Sequence, residues 1–93
     1  MSRYASLWNK RDAVEAEIVM ALAQMGVEFI EAGPCDGWIF LDEWICVEIK
    51  SGNAPLTKGQ SAFIAQCEAL GRPYRVWRSA SEAIAGVQAM REP

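Results

Sequence analysis

Asp36 and, further along the chain, Glu48-Ile49-Lys50 are the residues whose types and spacing could do chemistry. The run Trp44-Ile45-Cys46-Val47-Glu48-Ile49-Lys50 reads as a strand, and side chains on a strand alternate between faces. Glu48 and Lys50 then point one way, while Ile45, Val47 and Ile49 point the other way into a core. A carboxylate and an ammonium side by side on a buried strand are costly to desolvate unless they pair or bind something. If Asp36 lies on the neighbouring strand, its carboxylate joins them. Paired carboxylates form an oxygen-rich site for a hard divalent cation such as Mg²⁺. A metal held there can polarise a phosphoryl oxygen and lower the pKa of a bound water. The pattern points to metal-dependent phosphodiester chemistry.

Composition bounds the possibilities. The 93 residues, 52% of them hydrophobic, are enough for a single domain (residues 1–93) with one modest core. No stretch approaches the roughly 18 consecutive apolar residues of a membrane span. Met1-Ser2-Arg3-Tyr4 is not followed by an apolar signal core, so a cytoplasmic location is expected. Cys35, Cys46 and Cys67 have no paired C-x-x-C spacing and read as small buried apolar residues. The chain has no histidine, which excludes histidine-based nucleophilic or general-base schemes and leaves carboxylates, lysine or metal. The net charge of −3 weighs against a phosphate-backbone partner. The distribution is more permissive: Lys10 and Arg11 precede the first expected helix, Lys50 and Lys58 flank the central loop, and Arg72, Arg75 and Arg78 surround the last expected strand.

The elements that must position these residues follow from patterning. Asp12 is expected to cap a helix running to about Gln24 and ended by Gly26. Val14, Ile18, Ala21, Leu22 and Met25 form its apolar stripe. Glu15 falls inside that stripe, whereas Glu17 falls outside it. Val27–Glu31 reads as a short strand, Ala32-Gly33-Pro34 as a turn, and Asp36–Leu41 as a second strand. Asp42-Glu43 connects it, as a hairpin, to the strand Trp44–Lys50. After the loop Ser51–Pro55, Thr57 caps a helix to about Leu70, closed by Gly71 and Pro73. Tyr74–Arg78 is a fourth strand, and Ser79 or Ser81 starts a last helix with Ala83, Ile84, Val87 and Met90 inward. The order α-β-β-β-α-β-α predicts an α/β domain of two or three layers.

Several candidates have a structural reading beside the chemical one. Asp36 after Gly33-Pro34 fits a turn, and Glu48 with Lys50 fits a strand-end ion pair. Glu15 could close a capping box with Asp12 or reach toward the sheet and a metal-bound water. Gln60 could close a capping box with Thr57 or, sharing a face with Phe63, Ile64 and Cys67, orient a water or phosphate near Lys50. Trp38, Trp44 and Trp77 could stack on unpaired bases, but core packing or a subunit contact is the favoured reading of them.

With these residues in place, the chain resembles the PD-(D/E)XK nuclease superfamily, and within it the virus-type replication-repair nuclease (VRR-NUC) domain. The resemblance spans about residues 11–88. It rests on Arg11-Asp12-x-x-Glu15-x-x-Ile18, Pro34-Cys35-Asp36, Val47-Glu48-Ile49-Lys50, Leu56-Thr57-x-x-Gln60-x-x-Phe63 and Val76-Trp77-Arg78-Ser79-x-x-Glu82-Ala83. It implies a restriction-endonuclease-like αβββαβ core on a mixed central sheet, followed by a C-terminal helix. It also implies Mg²⁺ or Mn²⁺ held by Asp36, Glu48 and the Ile49 carbonyl, with Glu15 supporting the ion through water. Lys50 would position or activate the attacking water, and Gln60 would orient Lys50 or the scissile phosphate. Cys35 separates Pro34 from Asp36, a departure from the literal motif that bears on where Asp36 stands on its strand. Stand-alone members look like homodimeric endonucleases that resolve four-way DNA junctions, so the expected protein is a dimeric phage or bacterial Holliday-junction resolvase. The competing expectations are a non-catalytic module binding branched DNA or a protein, and a nicking or restriction-like nuclease.

Overall fold

The computed structural model describes residues 10–92; the expectation placed on Met1–Tyr4 lies outside them. Its elements are α1 (Lys10–Gln24), β1 (Gly37–Phe40), β2 (Trp44–Ile49), α2 (Lys58–Ala69), β3 (Tyr74–Trp77) and α3 (Ala80–Arg91). β2 is the central strand, with β1 antiparallel on one side and β3 parallel on the other. A parallel neighbour cannot be reached by a tight turn, and α2 supplies the crossover. The fold is α/β, as the patterning predicts, with three strands in its mixed sheet where the patterning gives four.

Alternation along the strands divides the sheet into two unlike faces. Ile39, Ile45, Val47, Ile49 and Trp77 share one face and form the main core with Ile18 and Leu22 of α1 and Ala83 and Val87 of α3. Trp38, Cys46 and Tyr74 share the other, packed with Phe63 and Cys67 of α2. The architecture is therefore three layers, with α1 and α3 below the sheet and α2 above it. Thr57 and Gln60 form the expected capping box at the start of α2. Ser79 caps α3, accepting from the Glu82 amide at 3.1 Å.

Three expectations need correction. Val27–Glu31 is not a strand: only Ile30 pairs, exchanging backbone bonds of 2.9 and 2.8 Å with Trp38. The reason lies at the end of α1, where Gly26 takes a left-handed conformation (φ 78°). The Gly26 and Val27 amides there bond back to Ala23 and Leu22, the double bond of a Schellman ending. Val27 thus completes the helix end and buries its side chain in the core instead of entering a ladder. The second correction is at the other end of α1. Lys10, Arg11 and Asp12 already carry helical backbone, so Lys10 and Arg11 do not precede the helix. The helix thus begins before Asp12, and the side-chain bonds expected of Asp12 lie outside the described residues. Third, β1 begins at Gly37, which leaves Asp36 just before the strand, and Leu41 belongs to the connection, its amide bonded to Glu43 at 3.2 Å.

α3 approaches the sheet closely at Gly86. A Cβ added there would lie 2.9 Å from Nε1 and 3.0 Å from Cζ2 of Trp77, whose indole is buried and has no room to withdraw. In an exposed helix interior, alanine for glycine gains about 1 kcal/mol. Gly86→Ala is instead expected to destabilise the fold by about 1–3 kcal/mol, the usual cost of overpacking. The urea midpoint should fall with an unchanged slope. A raised midpoint would mean that α3 moves freely off Trp77.

Candidate functional site

Backbone register brings the two principal candidates together. Gly37 pairs with Val47 in an antiparallel ladder, so the preceding residue, Asp36, stands across from the following one, Glu48. Directly opposed residues point to the same face with Cβ atoms about 5 Å apart, and like charges placed so repel. The face is the one covered by α2. Asp36 is further fixed by its Oδ2, which accepts a 2.7 Å hydrogen bond from the Ile49 amide. The Phe29 ring lies against Gly37 in the space a Cβ would need, so the residue after Asp36 must be glycine for the chain to pass there.

Glu48 is only 2% exposed, the one charged side chain that the fold buries among the described residues. Burial pushes its pKa up from the ordinary 4.5 to about 7, with the hydrogen bond and charge of Asp36 adding to the rise. The Asp36 backbone amide and the Lys50 ammonium pull it back down. Glu48 is therefore the carboxyl here that holds its proton toward neutrality. Lys50 is half-buried and follows Glu48 on the same face; its amide extends the sheet by bonding to the Trp77 carbonyl at 3.1 Å.

Gln60 joins the site from α2 and serves both readings at once. Its Oε1 accepts from the Thr57 amide at 2.9 Å, closing the capping box, while its Nε2 donates to Glu48 Oε1 at 3.4 Å. The helix cap thereby aims one amide at the carboxylate. Glu15 comes from elsewhere. It is half-buried on the α1 face that carries Ile18 and Leu22, in the layer on the far side of the sheet from Glu48. Ile49 is buried with its side chain in the main core, and its amide, not its carbonyl, is the group bonded to Asp36.

Arg78 has a role that sequence reasoning missed. Its Nη1 donates to the Gly52 and Ala54 carbonyls at 3.0 and 2.7 Å, clamping the loop that follows Lys50. Arg75 likewise donates to the Tyr74 carbonyl at 2.6 Å. Both were expected only as surface charge, because loop carbonyls leave no side-chain signature. Trp77 is a core residue. Cys35, Cys46 and Cys67 are free and buried together, with Cys46 and Cys67 Sγ atoms 4.0 Å apart. Burial pushes the Cys35 and Cys46 thiols up, which keeps them protonated and suits packing.

Among the described residues, no group of three or more His, Cys, Asp or Glu side chains is arranged to hold a metal ion. An ion at Asp36 and Glu48 would have those two carboxylates and take its other ligands from backbone and water, a pattern that suits Mg²⁺. No helix among the described residues is long and apolar enough to cross a membrane. No protein-family model matches the chain, and no curated protein or solved structure matches it.

The raised pKa of Glu48 makes a pH test possible. A carboxyl that binds its proton more tightly when folded stabilises the fold below its unfolded value and loses that contribution as pH rises through the folded one. In EDTA, the urea midpoint should therefore fall between pH 4.5 and about 7. With no histidine in the chain, few other side chains titrate through the upper part of that window. Glu48→Gln, which cannot ionise, should flatten the fall. An equal fall in the variant would assign it to another group.

Proposed function

We propose that this chain is a divalent-metal-dependent endonuclease of the PD-(D/E)XK type, close to VRR-NUC domains, that hydrolyses DNA phosphodiesters. The observation that carries the reading is the register-enforced pairing of Asp36 with Glu48, with Lys50 on the same face and Gln60 bonded to Glu48. A buried Glu48 carboxylate set against Asp36 is a costly arrangement for stability, and a bound dication would relieve it. The donor set is hard oxygen, which fits Mg²⁺ or Mn²⁺. Such an ion supplies charge neutralisation and Lewis-acid polarisation of a phosphoryl oxygen.

The chain's own residues divide the remaining work. Asp36 and Glu48 hold the ion, and the Ile49 amide keeps the Asp36 carboxylate turned toward it. Lys50, close enough to Glu48 to influence its ionisation, orients the attacking water and offsets charge on the phosphate as the P–O bond breaks. Gln60 holds Glu48 in place and lends an amide to Lys50 or the phosphate. Branched DNA, above all the four-way junction, is the proposed substrate and a homodimer the proposed working form. Two sites related by symmetry can cut opposing strands, and pairing joins basic patches that are sparse on one acidic chain.

Cleavage of a labelled four-way junction should appear with Mg²⁺ or Mn²⁺, vanish in EDTA, and spare a linear duplex of matching sequence. Asp36→Ala, Glu48→Ala and Lys50→Ala should each lower the rate by on the order of 10²-fold or more. A fully active Glu48→Ala enzyme would sink the mechanism. Cleavage of the linear duplex as well would favour a nicking or restriction-like nuclease, and junction binding without cleavage a non-catalytic module. Separately, millimolar Mn²⁺ at pH 8 should raise the melting temperature of the wild type by a few degrees and leave Glu48→Ala unmoved. Equal shifts in both proteins would place the ion elsewhere.

A further inference from the structure

The face that carries Asp36 and Glu48 continues beyond them. Strand alternation and the β1–β2 register stack three rungs on it: Asp36 with Glu48, Trp38 with Cys46, and Phe40 with Trp44. Successive rungs are about 6.8 Å apart, so Trp44 lies about 13 Å along β2 from Glu48. α2 follows the same line. Gln60 meets the first rung at Glu48, and Cys67 meets the second, 4.0 Å from the Cys46 sulfur. Beside them a groove of about 300 Å³ opens, with Trp38, Trp44 and Phe63 as walls and the buried Cys46 and Cys67 as floor.

We propose that this groove, between α2 and the β1–β2 hairpin, receives one unpaired nucleobase of the DNA strand whose phosphate lies at Asp36 and Glu48. The proposal rests on the nuclease reading above and adds to it a means of selecting branched DNA. The volume is that of a small-ligand site. Aromatic walls suit a flat, polarisable ring, which stacks on indole or phenyl whatever its sequence identity. Gln66 and Arg72, both exposed, stand at the rim. The glutamine amide can donate to and accept from a base edge, and the guanidinium is a cation where a strand's phosphates must pass. Trp44 is 51% exposed and Leu70 75%, so the groove leaves to water the apolar surface that a base would cover. An intact duplex keeps its bases stacked and cannot fill the groove, whereas a branch point or single strand can.

The test uses a short single-stranded oligonucleotide carrying a central 2-aminopurine, titrated in EDTA so that no cleavage intervenes. The wild-type chain should quench the 2-aminopurine as it stacks. Trp44→Leu, which keeps apolar bulk beside Phe40, should abolish the quench and weaken binding about tenfold. Arg72→Ala, at an exposed position that the fold does not need, should weaken binding at low salt with the quench retained at saturation. Glu48→Ala should quench as the wild type does while losing junction cleavage. No quench by the wild type, or an equal quench by Trp44→Leu, overturns the groove and leaves the nuclease reading to stand on its own metal-dependent cleavage. A Trp44-dependent quench without any metal-dependent cleavage keeps the base site and removes the nuclease. Sedimentation supplies the remaining contrast. A dimer that Trp44→Leu dissociates, with no quench by the wild type, would make the groove an interface between two copies and overturn the proposal.

Discussion

The opposition of Asp36 and Glu48 across two antiparallel strands is the constraint around which this small fold is organised. Two acidic groups so close repel, the buried Glu48 resists ionisation, and an unbiased fold would avoid the arrangement. Everything next to them holds the arrangement. The Ile49 amide ties down one oxygen of Asp36, Gln60 bonds to Glu48, and the Lys50 ammonium offsets part of the charge. Ile49 also ties the pair to the main core, because its side chain is buried below the sheet while its amide serves the site above it.

The two faces of the sheet divide stability from chemistry. The lower face, against α1 and α3, is closely packed and apolar, down to a helix–indole approach that admits only glycine at position 86. The upper face is covered by the single helix α2 and carries carboxyls, thiols and a groove flanked by indoles. The loop after Lys50 is held by Arg78, so a residue that reads as surface charge instead fixes backbone beside the site.

Much of this was legible in local sequence. Alternation in Trp44–Ile49 assigns Glu48 to the face opposite Ile45, Val47 and Ile49, and the Thr57 and Ser79 caps fall where their side chains predict. The expected strand at Val27–Glu31 failed because its apolar residues are equally suited to closing a helix. Val27 buries its side chain whichever it does, and the backbone bonds of the Schellman ending decided. The helix start was misplaced in a related way: Asp12 is suited to a cap by residue type, yet helical backbone already runs from Lys10.

By itself the sequence determined the alternating faces, the α/β class, the caps at Thr57 and Ser79 and the absence of any histidine chemistry, because each depends on residue type and short-range spacing. Tertiary structure decided which distant groups meet. The strand register set Asp36 opposite Glu48; a shift of one residue would have turned the carboxylates to opposite faces. The crossover through α2 put Gln60 on Glu48 and opened the groove beside Trp44, while the packing of α1 beneath the sheet left Glu15 on the other side of it. Those outcomes depend on pairings between segments far apart in the chain, which side-chain pattern constrains but does not choose.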